Sequence, residues 1–183
     1  IRFLMKEKEI LRAQIRAILK ASTLGNVRIL LPMVTLLQEI IAIKKYIDKL
    51  KKELKVERVS FDNYISIGIM VEVPSIALSL EEVIALISFV SIGSNDLIQY
   101  TFAADRTLEK VNYLYLPKHS AILKLIKHVI NVCHENKKEV GVCGEIAGDL
   151  EMVTILAELE IDELSMAPTK IPLIKKILLN LLN

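Results

Sequence analysis

The chain has no tryptophan, two cysteines and three histidines among 183 residues, and aromatic residues make up only 5% of it. Each shortage excludes something. Two cysteines, Cys133 and Cys143, cannot build the disulfide framework of a small secreted domain, and they read as reduced thiols in a cytoplasmic protein. No cysteine and histidine group has the spacing of a zinc site. Neither sign of charge dominates: the net charge is +2 and the charged residues are mixed along the chain, which gives no case for nucleic acid or an acidic membrane surface. Long apolar runs are missing too. The longest charge-free one, about Val83 to Ser94, ends at Asn95 and Asp96, short of the roughly 18–20 residues of a membrane span. Lys6, Glu7, Lys8 and Glu9 interrupt the start, so no signal peptide is visible.

What the chain does have is Ile, Leu and Val. Hydrophobic residues reach 52% with a mean hydropathy of +0.43, a composition suited to parallel strands covered by helices. The length fits one domain with a sizeable core. Apolar runs predict strands over 27–33, 66–73, 88–93, 139–143 and 162–166. Amphipathic stretches predict helices over 3–22, 35–55, 76–86, 119–137, 149–159 and 170–182. The clearest is 35–55, where Leu36, Ile40, Ile43, Ile47, Leu50 and Leu54 form one stripe opposite lysines and glutamates. Strands regularly separated by helices imply an α/β fold of βα units. All six glycines fall at or beside strand ends, and in parallel α/β folds the C-terminal strand ends carry the active site.

Several residues stand out chemically. Glu72 sits inside the run IMVEVP, where a charge is costly unless paired or ligated. Asn95 and Asp96 follow Gly93 and Ser94 after an apolar strand; their plain reading is helix capping. Glu72 and Asp96 would end neighbouring parallel strands, so their oxygens would converge on one hard cation such as Mg²⁺, with substrate phosphate and water completing its shell. Arg106, or Arg28 at the start of the first strand, would clamp a carboxylate or phosphate in a bidentate manner; the plain reading of each is a surface arginine. Cys143, in V-G-V-C-G-E at a strand end, is either a buried structural cysteine or a thiol able to give and take a proton. Cys133 lies on an apolar helix stripe and reads as core. His119, His128 and His134 read as surface or capping residues.

Four segments taken together carry a resemblance: RILLPMV (28–34), GIMVEVPS (68–75), SIGSNDLIQYTFAADR (91–106) and GVCGEIAGD (141–149). In order and spacing they resemble the C-terminal phosphoenolpyruvate-binding domain of Enzyme I, phosphoenolpyruvate–protein phosphotransferase, which starts the bacterial sugar phosphotransferase system. The flanks KEILRAQIRAILKAS (8–22), DELSMAP (162–168) and IPLIKKI (171–177) fit as well, so the resemblance covers essentially the whole chain. Pyruvate phosphate dikinase and phosphoenolpyruvate synthase share much of the pattern and give the alternative of that enzyme type.

The resemblance implies a TIM-type (β/α)8 barrel of which about the last five βα units are present, binding phosphoenolpyruvate and Mg²⁺. Glu72 and Asp96 match the metal ligands. Asn95 and Arg106 match residues that hold the substrate, with Asp96 and Gly93 beside them. Cys143 matches the proton donor to the enolpyruvate carbon. In the family the phosphoryl group passes to a histidine on a separate N-terminal domain and then to the carrier protein HPr, and the barrel domain forms homodimers. Five strands instead of eight, no phosphohistidine motif and none of the family's main arginine clamps imply that residues 1–183 are the C-terminal portion of the barrel, inactive alone. Two other readings stand beside it: a non-catalytic binding and dimerisation module or decayed copy, and a Mg²⁺-dependent lyase of the citrate-lyase type. Glu158 and Glu160 replace glycines usual in the family, which puts in question the turn into the last strand.

Overall fold

The computed structural model describes residues 1–105 and 107–181. Its frame is a parallel sheet of five strands in sequential order: β1 (Ile29–Leu31), β2 (Ile67–Val71), β3 (Phe89–Gly93), β4 (Glu139–Cys143) and β5 (Glu163–Ser165). The helices between them are α3 (Leu37–Val56), α4 (Pro74–Leu78), α5 (Ser94–Phe102), α6 (Ser120–Glu135) and α7 (Leu150–Glu158); α1 (Arg2–Lys6) and α2 (Lys8–Ala21) precede the sheet and α8 (Ile171–Leu181) follows it. Strand order never reverses, so the sheet has no switch point of the doubly wound kind.

Alternation along the strands separates two faces. Ile29, Leu31, Ile69, Val71, Val90, Ile92, Val140 and Val142 are buried in one core with the helix stripes. The alternate residues Met70, Phe89, Ser91 and Cys143 are only partly covered, and Arg28, Leu30, Glu139 and Glu163 are exposed. The second face is therefore open, unlike that of a parallel sheet layered on both sides. Its register is tight: a Cβ on Gly68 would come within 2.6 Å of the Phe89 carbonyl oxygen.

The stripe predicted for α3 is the one the core takes up: Ile40, Ile43, Ile47, Leu50 and Leu54 are at most 1% exposed, each contributing about 1.5–3 kcal/mol by burial. In α6, Ile122, Ile126, Val129, Ile130 and Cys133 do the same. Burial, with the charge of Asp162, pushes the Cys133 thiol up to about 12; it is a core residue.

Three expectations change. The helix over 3–22 is two helices meeting at Glu7, whose ψ of 69° breaks the run. The stretch 76–86 holds only the short α4, started early by Pro74 at its first turn, followed by 3-10 turns at 80–82 and 84–86. α5, which the sequence reading did not include, starts directly on the end of β3. The turn after α7 survives its missing glycine. Glu160 takes the left-handed conformation at φ 63°, Ile161 N–H donates to Leu156 O at 3.1 Å and Glu160 N–H to Ala157 O at 3.0 Å, the bonding pattern of a glycine-capped helix end.

Candidate active site

The C-terminal ends of β2, β3 and β4 bring the singled-out residues together on the open face. Glu72 follows β2 and is only 3% exposed. Asp96 stands in the first turn of α5, after β3. The two carboxyl groups lie close enough to interact, and Glu72 titrates above the usual carboxylate range. Burial is the main cause, the neighbouring Asp96 carboxyl adds to it, and the Met33 N–H opposes it. That N–H donates to Glu72 Oε1 at 2.6 Å.

Gly93 makes the pocket for this carboxylate. A Cβ there would lie 2.8 Å from Glu72 Cβ, 2.9 Å from Glu72 Oε2 and 3.0 Å from Met70 Sδ. The same residue pairs with Cys143 in the sheet, so the carboxylates and the thiol occupy adjacent strand ends. Cys143 is half-buried, and its Sγ donates to the Ile92 carbonyl at 3.5 Å.

Asn95 is held from two sides. Its Oδ1 accepts from the Tyr115 hydroxyl at 3.0 Å and from the Glu145 N–H at 3.2 Å. A backbone N–H only donates, so the oxygen is assigned and the amide nitrogen keeps its two donors for the other side. Ser94 Oγ, donating to Cys143 O at 2.7 Å, ties β3 to β4 at the same level. Gly144 has φ 100°, and a Cβ there would collide with Ser94 Oγ at 2.4 Å. A cleft of about 300 Å³ opens beside these residues, lined by Asn95, Gly144, Glu145, Gly148 and Lys170 among others.

Glu72, Gly93, Asn95, Asp96 and Cys143 are thus brought together. Arg106 lies outside the described residues. Arg28 is not part of the site. It stands before β1, level with the residue before β2, six residues from Glu72 and so about 20 Å away along the strand. It pairs with Glu139 at 2.9 Å instead. Arg2 bonds Thr35 Oγ1 at 3.0 Å and lines a cavity of about 470 Å³ with Met33, Val73 and Tyr100. The histidines are engaged elsewhere: the His119 ring caps α6 by accepting from Ala121 N–H, His128 lies 3.4 Å from Glu81 and His134 3.3 Å from Asp162.

Sequence reasoning missed Met33, Ser94 and Tyr115. Ser94 had a signal in its place between strand end and helix; Met33 had none, because methionine does not announce a left-handed turn.

Hard oxygen donors of two carboxylates, one of them deeply buried, fit a divalent cation, whose charge would offset their repulsion. Among the described residues no group of three or more His, Cys, Asp or Glu side chains is placed to hold a metal, so the remaining ligands would have to come from substrate and water. No helix among the described residues is long and apolar enough to cross a membrane.

The sequence profile described as "PEP-utilising enzyme, PEP-binding domain" matches residues 1–182. Phosphoenolpyruvate-protein phosphotransferase of Buchnera aphidicola subsp. Schizaphis graminum is 46% identical over 178 residues, 97% of this chain and 31% of the relative. The protein of the same name from Haemophilus influenzae is 43% identical over 98% of this chain and 31% of its own length, and that from Bacillus subtilis 45% identical over 93% and 30%. The chain spans about a third of the length of these relatives. Among solved structures, a citrate lyase from Burkholderia xenovorans superposes with a TM-score of 0.64 at 18% identity, over 91% of this chain and 53% of that one. A malate synthase from Haloferax volcanii gives 0.54 at 12% identity, over 78% and 39%. Both likenesses concern the fold alone.

Proposed function

The chain belongs to the PEP-utilising enzymes through their PEP-binding domain, and from that premise we propose that it binds phosphoenolpyruvate with Mg²⁺ and serves phosphoryl transfer to a protein histidine, the first step of the sugar phosphotransferase system. The observation that carries this reading is the pairing of buried Glu72 with Asp96 beside Asn95 and Cys143. The three remaining strands of a closed (β/α)8 barrel, the acceptor histidine, HPr as the next carrier, a homodimer and a cytoplasmic location belong to the same proposal.

Glu72 and Asp96 would hold the cation, which when bound neutralises phosphoryl oxygens and the leaving enolate. The Asn95 amide donates to a substrate oxygen, and Arg106 clamps phosphate or carboxylate. As the phosphorus–oxygen bond of phosphoenolpyruvate breaks, the phosphoryl group goes to the histidine nitrogen and the enolate remains. Cys143 then gives its Sγ proton to the methylene carbon, forming pyruvate and a thiolate that is reprotonated from solvent.

The test is calorimetric titration with phosphoenolpyruvate, with and without Mg²⁺, set beside a phosphoryl-transfer assay with HPr and an Enzyme I phosphohistidine domain. Mg²⁺-dependent binding that disappears in Asp96→Asn supports the reading. Binding indifferent to Mg²⁺ overturns it, and binding without transfer under any condition favours a non-catalytic module.

A further inference from the structure

Residue 33 adopts a backbone conformation that side chains disfavour. Met33 has φ 51°, in the left-handed region that costs a non-glycine residue about 1–2 kcal/mol. It comes two residues after β1, behind Pro32. Strain of this kind persists where the surroundings impose it, and it gathers at functional sites.

The conformation has a consequence across the sheet. It directs the Met33 N–H onto Glu72 Oε1, 39 residues away, at 2.6 Å. Glu72 is almost fully buried, so an unbonded oxygen there would bear a full desolvation cost. Gly93 leaves the room that Oε2 takes up, since a Cβ there would lie 2.9 Å from it, and Asp96 interacts with the carboxylate from α5. The carboxylate is thus held by a fixed main-chain donor beside its acidic neighbour, in room that only a glycine leaves. The bond uses the Met33 main chain only, and Met33 also lines the cavity shared by Arg2, Val73 and Tyr100.

We propose that Met33 is a positioning residue, whose left-handed main chain holds its N–H on Glu72 Oε1 and so aims the Glu72 carboxylate, with Asp96, at a divalent cation. The inference rests on the metal reading of that carboxylate pair. It makes the backbone at 33, not the side chain, the determinant of cation affinity. Hydrogen-bond partners of metal ligands are commonly worth about 10–100-fold in affinity.

The test titrates Mn²⁺ by electron paramagnetic resonance into the parent chain and into Met33→Gly, Met33→Val and Met33→Pro, with the amide spectrum recorded in parallel. Glycine takes positive φ freely, valine resists it, and proline has neither the angle nor the N–H. Met33→Gly should bind within about twofold of the parent, Met33→Val about 10-fold more weakly and Met33→Pro about 100-fold more weakly. If Met33→Pro fails to fold, the glycine and valine variants decide alone. Valine binding as tightly as methionine, or glycine as weakly as valine, overturns the proposal. A second measurement needs no metal: the Met33 amide proton should resonate downfield and exchange slowly, and lose both properties in Glu72→Ala. A parent that binds no Mn²⁺ overturns the metal reading. An amide resonance indifferent to Glu72→Ala overturns the Met33 clamp itself.

Discussion

The guanidinium of Arg28 lies over the Phe89 ring, 5.0 Å from its centroid, and ends 2.9 Å from the carboxylate of Glu139. The pair joins the chain entering β1 to the start of β4, across the two strands between them. It fastens the open face of the sheet at the end opposite the carboxylate site. Both partners are more than two-fifths exposed, so solvent screens the pair.

A double-mutant cycle with Arg28→Met and Glu139→Gln should therefore give a coupling energy of about 0.5–1 kcal/mol in urea unfolding, shrinking with salt. Phosphoenolpyruvate binding should not change in either single variant. A loss of binding with unaltered stability would bring Arg28 back into the site.

Glu72 makes the protein's stability depend on pH. Its folded-state carboxyl titrates above the ordinary value, chiefly because of burial, so the folded protein binds more protons than the unfolded one. Stability from this group is full below the unfolded pKa and is lost as pH rises through the folded pKa. Each unit of difference is about 1.4 kcal/mol. Glu72→Gln should remove this part of the pH dependence and raise the metal-free melting temperature at neutral pH. It should also weaken Mn²⁺ binding by more than about 10-fold. Melting curves between pH 4 and 8, run with and without Mn²⁺, check both statements.

Gly93→Ala puts a methyl group 2.8 Å from Glu72 Cβ. Overpacking of this kind costs typically about 1–3 kcal/mol. Chemical denaturation should register that loss, and cation binding should fall with it because Glu72 must move. Unchanged stability would mean that the strand ends yield more readily than their packing suggests.

The two cysteines should separate cleanly under alkylation. Cys133 is fully buried, with a thiol pushed up to about 12, and it should remain unmodified by iodoacetamide at pH 8 in the folded protein. Cys143 is partly accessible and should be labelled. Peptide mass spectrometry reads the result. Cys143→Ser should lower turnover while leaving phosphoenolpyruvate affinity within about twofold, since in this reading the thiol acts only after the phosphoryl group has left.

Glu160→Gly should stabilise the chain. The left-handed turn it relieves is already formed and fully bonded, so the gain is the strain removed less the extra flexibility of glycine, up to about 1 kcal/mol. A loss of stability would show that the Glu160 side chain holds the turn.

Much of this could be read along the chain, for local reasons. Each of the five strands appears within two residues of its predicted ends, because β-branched runs between amphipathic stretches leave few alternatives. Glu72, Asn95, Asp96 and Cys143 stood out because polar groups right at the ends of apolar runs are expensive unless used. The stretch 76–86 misled, since its apolar residues fit a helical period while Pro74 and Ser79 confined the helix to one turn. α5 went unread because Asn95 and Asp96 suggested a cap, whereas they lie inside the first turn.

By itself the sequence determined the α/β class, the order of the strands, the buried stripes of α3 and α6, and which polar residues sit at strand ends. These follow from periodicity and from the cost of burying charge, and both are local properties. The sequence also led to the expectation that Glu72 and Asp96 converge at neighbouring strand ends, but only the tertiary structure decided that Met33 and Gly93 shape the place of Glu72 and that Tyr115 and Glu145 orient Asn95. It also decided that Arg28 serves the far end of the sheet. The left-handed turn at Met33 belongs wholly to this second kind. No preference of methionine predicts it, and the N–H that the turn presents meets a carboxylate 39 residues away.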